Sequence, residues 1–324
     1  MLYIYNDSKD PYFNLAAEEY LLKEKNEDIF MLWANRDAVI VGRNQNTMAE
    51  INYEYVTEND IAVVRRLTGG GAVFHDVGNL NFTFIRNNEK TIDFSYFGNI
   101  IINALLKLGI NAKISGRNDL TINGKKFSGN AATIHKGRLL HHGTLLLETT
   151  VGKLTEALKA DPVKIEGKGI KSIRSRVTNI NEHLTEPISS ETLINVVASY
   201  VFDKYRDTVE YGFNEKDIEG INNLADNKYR QWEWNFGDSP DYNFIKNRKL
   251  PMGNLEVRLM VKNGIIKDAS IYGDFFGTRD VQEFIQKLVN VKHNKSDIEN
   301  VVNGLNIRDY FFGAETEDII NIFI

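Results

Sequence analysis

No cysteine occurs among the 324 residues. That absence excludes disulfides, a thiol nucleophile and cysteine-liganded zinc, and it fits a reducing compartment. A basic excess is also lacking: 39 Lys and Arg stand against 44 Asp and Glu, a net charge of −5. Nucleic acid is therefore not expected as a partner, although a local basic pocket is compatible with that balance. No uninterrupted apolar stretch approaches the length of a membrane span, so no membrane partner is expected either. Residues 1–6 lack the basic start and long apolar run of a signal peptide, which makes the cytoplasm the default expectation. Internal repeats and low-complexity tracts are absent. What remains is 42% hydrophobic and 26% charged, ordinary for a globular chain long enough for two domains or one large one.

The chain is organised around residues 61–85. An apolar run, 61–64, reads as a buried strand and leads into Arg65, Arg66 and three consecutive glycines, Gly69, Gly70 and Gly71. A second strand covers 72–74, a polar turn covers 75–79, and a third strand alternates Leu80, Phe82 and Phe84 with Asn81, Thr83 and Ile85. Glycines let the main chain approach a ligand or take positive φ, and bare backbone amides surround anions. The two arginines add fixed charge suited to phosphate or carboxylate. No Gly-Lys-Ser/Thr follows, so this is not a Walker loop; a strand comes next, so it is not the dinucleotide fingerprint. By themselves the glycines fit a hairpin tip. With the arginines and the Gly78-Asn79 turn they point to an anion site.

Around this stretch the pattern predicts strands at 2–5, 29–33 and 38–41 and a helix over 14–23 that starts near Asp10-Pro11. Glu18 and Glu19 belong on its solvated face. Trp33 reads as core or as the wall of an apolar ligand tunnel. A short helix is expected at 52–60, and an amphipathic one at 93–108 that stops at Gly109. Asn123-Gly124 is a strong two-residue hairpin signal. It sets Thr121 opposite Lys126 and Asp119 opposite Ser128, so that all four share a polar face while Leu120 and Phe127 share an apolar one. Lys126 and Asp119 then form either a cross-strand ion pair or a phosphate-binding cation beside a metal ligand. His141 and His142 fall on opposite faces of the next strand, against a shared zinc. Further helices are expected at 154–160, 189–205 and 226–236. Residues 167–180 hold a basic cluster without an acid, a solvated loop or a flap over an anion. Residues 238–253 read as a linker to a small domain with a hairpin around Asn263-Gly264 and helices at 278–290, 296–304 and 314–323.

The run from Arg65 to Asn79 closely resembles the signature of lipoate–protein ligases. Residues 115–120, 126–131, 141–146, 168–179 and 232–237 are similar to further family segments, as are Asn14, Leu15, Ala16, Glu18 and Glu19 near the start. The resemblance implies an α+β protein: a large mixed-sheet catalytic domain of the biotin/lipoate ligase type over 1–245 and a small α+β accessory domain over 246–324. It implies that the protein activates lipoate with ATP to lipoyl-AMP and passes the lipoyl group, or an octanoyl group, to one lysine of an acceptor. Acceptors would be acyltransferase subunits of 2-oxoacid dehydrogenases or the glycine-cleavage H protein. By resemblance, Arg66, Gly71, Ala72, Val73, Phe74 and Lys126 bind nucleotide, and Lys126 also reaches the lipoyl carboxylate as the catalytic cation. Gly78 and Asn79 lie near the phosphates and Asp119 holds Mg²⁺. Leu15, Glu19, Trp33 and His142 lie at the lipoyl tunnel, where Arg66 also contributes. A cysteine-dependent acyltransferase is excluded by composition, and the loop of biotin–protein ligases is absent. A lipoyl relay between proteins and a non-catalytic binding module remain as rivals, the latter opposed by Lys126 and Asp119.

Overall fold

The computed structural model describes residues 1–45, 47–158, 176–236, 244–262, 265–293 and 295–324. In the N-terminal part the strands are β1 (Leu2–Asn6), β2 (Ile29–Trp33), β3 (Ala38–Val41), β4 (Ala62–Arg65), β5 (Val73–His75) and β6 (Asn79–Arg86). They continue with β7 (Ala112–Ser115), β8 (Asp119–Ile122), β9 (Lys125–His135), β10 (Arg138–Leu146) and β11 (Val209–Glu210). Eight of these form one mixed sheet in the order β11-β1-β2-β6-β10-β9-β8-β7, and β4-β3-β5 form a second, smaller one. The C-terminal part carries β12 (Phe244–Leu250), β13 (Gly253–Lys262) and β14 (Ile265–Gly273) in an antiparallel sheet, packed against helices Val281–Leu288, Lys295–Asn303 and Thr316–Ile322. The fold is α+β.

Both faces of the large sheet are covered. Leu80, Phe82 and Phe84 of β6 face helices Phe94–Leu106 and Ser190–Lys204, while Ile85 joins Trp33, Leu140 and helix Pro11–Glu24 on the other side. The alternation in β6 therefore separates two interiors, not core from solvent. Helix starts follow the side-chain capping rule: Asp10, Asp93 and Ser189 each accept a backbone N–H of the first turn.

Several sequence expectations are corrected. Residues 244–250, expected within a linker, form β12 because they pair along their whole length with β13; residues 237–243 lie outside the described residues. A helix at Glu215–Leu224 was not expected; it packs through Ile221 onto the N-terminal helix, and its continuation is one π turn at Ala225–Tyr229. The β8–β9 hairpin keeps its two-residue loop, with Asn123 and Gly124 both at positive φ, but a bulge shifts the register between Leu120 and Thr121. Asp119 then faces Gly129 instead of Ser128. Ser128 turns inward with Phe127, and Gly129 takes the place on the polar face beside Lys126.

Gly78 is part of a tight seam. Its carbonyl accepts the N–H groups of Leu147 and Glu148, and a Cβ there would lie 2.3 Å from the Glu148 carbonyl oxygen. Gly78→Ala is expected to lower unfolding free energy by about 2–3 kcal/mol in urea titrations, because backbone must move to admit the methyl.

Candidate functional site

A cavity of about 470 Å³ lies between the large sheet, the glycine loop and the C-terminal part. One end is apolar, lined by Leu15, Trp33, Ile40 and Val73 with His75; the other is charged, lined by Arg117, Asp119, Lys126, Arg176 and Asp274. The hairpin bulge prepares the charged end. Lys126 reaches Asp119 at 2.7 Å, both side chains 37% exposed, and lies over Gly129, where a Cβ would stand 2.9 Å from its Nζ. The Gly129 amide donates to Thr144 Oγ1 at 3.0 Å. The ion-pair geometry and the site geometry thus coexist: the same two side chains pair and open on the cavity.

The glycine loop is held from behind. Arg66, fully buried, donates through Nε to Thr68 Oγ1, through one terminal nitrogen to Ile40 O, and through the other to Gly69 O and Gly71 O at 2.7 and 2.9 Å. Burial pushes its pKa down to about 10, with Glu18 opposing and Arg65 adding to the fall. Arg65 does not face the cavity, contrary to its expected role as a second anion-binding charge. Strand alternation turns it to the far side, where it donates to the carbonyls of Gly42, Arg43, Gln45, Trp234 and Asn235 and to Thr47 Oγ1. Burial, then the neighbouring Arg43, push its pKa down to about 10.

Glu18 and Glu19, expected on a solvated face, are 3% and 1% exposed. Neighbouring helix positions diverge by about 100°, so they serve two different interiors. Glu18 accepts from Thr83 Oγ1 at 2.6 Å and from His142 Nδ1 at 2.9 Å. The direction of this network follows from Glu18, since an ionised carboxylate only accepts: a neutral His142 ring then carries its proton on Nδ1, and its Nε2 accepts. Trp33 Nε1 donates to Thr83, Thr83 to Glu18, Arg66 to Thr68, and the Thr68 hydroxyl to His142 Nε2 at 2.8 Å. Glu19 instead bonds Lys23, Lys228 and the Tyr229 hydroxyl, and lines a separate cavity of about 320 Å³. Desolvation would raise its pKa, but Lys228 first and then the hydrogen bonds lower it overall.

Of the residues expected at the site, Leu15, Trp33, Arg66, Gly71, Ala72, Val73, Asp119, Lys126 and His142 meet around this one cavity. Glu19, Phe74, Gly78 and Asn79 do not line it. Phe74 is buried behind the small sheet with Val39 and Val56, and the Asn79 amide donates to Asn81, which does line the cavity. Sequence reasoning missed Arg117, Asn81 and Asp274 as cavity residues. Asp274 arrives from the C-terminal part, and nothing local in its sequence signals that. His141, as alternation required, points away from His142 into an aromatic cluster of Phe82, Phe94 and Phe97; burial drives its pKa down to about 3. Of the basic segment, residues 167–175 lie outside the described residues; Arg176 lines the cavity, and the Thr178 amide donates to Lys126 O at 2.9 Å.

The C-terminal part closes the cavity. Gly70 N donates to Phe275 O at 3.3 Å, and a Cβ on Gly69 would stand 1.9 Å from that oxygen. Arg117 donates to the carbonyls of Met252 and Asp274 and stacks 4.4 Å over the Phe276 ring, which is itself buried in the core of the large sheet. Arg65→Lys, which keeps charge but loses the planar five-donor fork, is expected to leave buried carbonyls unpaired and cost about 1–3 kcal/mol, read as a lower urea midpoint at unchanged slope.

Two family models match the chain: the lipoyl protein ligase A/B catalytic domain over residues 10–202 and the bacterial lipoate protein ligase C-terminus over residues 239–323. The chain is 42% identical to the lipoate-protein ligase LplJ of Bacillus subtilis over 329 aligned positions, covering 99% of each. The crystal structure of P. falciparum LipL1 in complex with lipoate superposes with a TM-score of 0.82 at 29% identity, covering 99% of this chain and 97% of that one. The crystal structure of lipoate-protein ligase A bound with ATP gives 0.63 at 27% identity, covering 73% of this chain and 97% of that one. With this cavity at its centre, the chain belongs to the family of lipoate–protein ligases.

Proposed function

We propose that the cavity takes lipoate and ATP side by side and that Lys126 is the catalytic cation of both half-reactions. In the first, the lipoate carboxylate attacks the α-phosphorus of ATP and pyrophosphate leaves. In the second, a lysine amine of an acceptor domain attacks the acyl carbon of lipoyl-AMP, loses a proton, and AMP leaves. Both steps demand positioning and a cation aimed at developing negative charge. The observation that carries this reading is one cavity whose apolar end suits an acyl chain and whose other end holds Lys126 above a side-chain-free Gly129. That one solved relative is a complex with lipoate and another is bound with ATP supports both ligands.

Leu15, Trp33 and His142 are assigned to the acyl chain, and Arg66, Gly71 and Ala72 to the nucleotide; Val73, expected at the nucleotide, packs with Trp33 and Ile40 at the apolar end. In this reading Arg66 acts by shaping the loop that meets the phosphates. Among the described residues no group of three or more acidic or histidine side chains forms a metal site by itself. Asp119 alone still suits Mg²⁺, which is commonly held by one carboxylate together with substrate phosphates. Bound there, the ion would neutralise the pyrophosphate leaving group. The part up to residue 236 would act as the catalytic unit, and the part from β12 (Phe244–Leu250) onward as an accessory unit that shelters the adenylate. The acceptors are taken to be lipoyl domains of 2-oxoacid dehydrogenase acyltransferases or the glycine-cleavage H protein, in the cytoplasm.

Lys126→Ala is expected to slow lipoate-dependent exchange of labelled pyrophosphate into ATP by about 10²–10³-fold, with the fold retained. Exchange at the wild-type rate would remove Lys126 from the chemistry; a wild-type protein that binds ATP yet shows no exchange would favour a relay between proteins. Phe276→Ala removes the ring that joins the C-terminal part to the large-sheet core and supports Arg117. Faster loss of lipoyl-AMP during gel filtration is the expected result, and undiminished retention would argue against a sheltering role.

A further inference from the structure

His75 is buried, lines the cavity, and its Nε2 has no hydrogen-bond partner among the described residues. Its tautomer can be derived, because three asparagines connect it to backbone groups whose donor or acceptor character is not in question. The Ser8 amide donates to Asn6 Oδ1, which fixes the orientation of that side chain. Asn6 Nδ2 then donates to Asn14 Oδ1 at 2.8 Å, and Asn14 Nδ2 donates to the carbonyls of Ser8 and Ala34. The same NH2, its two hydrogens shared among three acceptors, stands 2.8 Å from the Asn35 side chain, and at that distance it can meet only the oxygen Oδ1, since two amide nitrogens would repel. Asn35 can offer only its Nδ2 to His75 Nδ1, 3.1 Å away. Nδ1 is therefore the acceptor, and the neutral ring carries its proton on Nε2. Burial, with His142 and Arg66 adding to it, pushes the His75 pKa down to about 3, so the ring stays neutral in the physiological range.

The position of this donor follows from the strand register. Asp119 pairs with Gly129, Gly129 bonds Thr144, Thr144 pairs with Asn81, and Asn81 pairs with Trp33. Adjacent strands lie roughly 4.8 Å apart, so Trp33 is about 14 Å across the sheet from the Gly129 strand that supports Lys126. The His75 ring sits 6.2 Å from the Trp33 ring, at that remote end. A carboxylate held at Lys126 directs the far end of its acyl chain here.

We infer that His75 selects the far end of the acyl substrate: its Nε2–H donates to a sulfur of the lipoyl dithiolane ring and finds no acceptor in a plain saturated chain such as octanoate. This rests on the ligase reading and deepens it. A divalent sulfur is a weak acceptor, but the cost falls on the rival substrate as well, since octanoate leaves a buried donor unpaired. His75 acts on specificity, and the asparagine relay is what makes it a donor.

The test is the ratio of kcat/KM for lipoate to that for octanoate in pyrophosphate exchange, for wild type, His75→Phe and His75→Gln. His75→Phe keeps a ring but removes the N–H, and the ratio is expected to fall about threefold to tenfold, the range of one net hydrogen bond. His75→Gln retains an amide donor and is expected to keep part of the preference. An unchanged ratio in both variants, with both acids still activated, overturns the role of His75. Wild-type protein that activates neither acid would instead overturn the ligase reading. Should the variants fail to fold, nitrogen NMR of the wild-type imidazole decides: the Nε2–H resonance must move with lipoate and not with octanoate. An equal response to both, or to neither, refutes the proposal.

Discussion

A single buried guanidinium ties the site together. Among the described residues Arg66 pairs with no carboxylate, yet its donors meet Ile40, Thr68, Gly69 and Gly71, so its charge is solvated by carbonyl dipoles and a hydroxyl. Through Thr68 and His142 the same group reaches Glu18, and through Thr83 that carboxylate reaches Trp33. Burial lowers the Arg66 pKa only to about 10, which leaves it charged near neutrality. The apolar end of the cavity and the glycine loop are therefore parts of one polar network. A change in either is felt by the other through mostly buried hydrogen-bonded groups.

The glycine loop answers two steric demands at once. Gly71 opens on the cavity with no atom closer to a would-be Cβ than 4.0 Å, whereas Gly69 is pressed against the Phe275 carbonyl of the C-terminal part. Gly70 between them takes φ +93°, a conformation that side-chain-bearing residues rarely adopt. Gly69 has no room for a side chain against the C-terminal part, Gly70 needs its positive φ, and Gly71 leaves its side of the cavity open. That is why three glycines stand in succession where one would make a hairpin tip.

Legibility differed by distance along the chain. Caps, the Asn-Gly hairpin and the opposite orientation of His141 and His142 depend on a few neighbouring residues, and these were readable. So was the gathering of Arg66, Gly71, Lys126 and Asp119, though through resemblance to a family and not through spacing alone. The bulge that exchanges Ser128 for Gly129 was not readable, because a hairpin loop sets register only until an extra residue intervenes. Glu18 and Glu19 misled for a related reason: a carboxylate on a helix is solvated by default, and its partners Thr83, His142, Lys228 and Tyr229 lie between 65 and 210 positions away. Residues 244–250 looked like a linker because their polar composition is that of an exposed edge strand.

By itself, then, the sequence determined the chemistry on offer: no thiol, an arginine-flanked glycine run, one lysine and one aspartate on a short hairpin, and an apolar strand ending in Trp33. It also determined the local geometry that depends on φ preferences and strand alternation. Only the tertiary structure decided which of two adjacent arginines braces the loop, which of two adjacent glutamates bonds His142 at the cavity, and which nitrogen of His75 carries the proton. Each of those outcomes depends on hydrogen-bond partners brought together from distant segments. A buried polar group takes its character from what it bonds, and composition cannot specify that until the chain has folded.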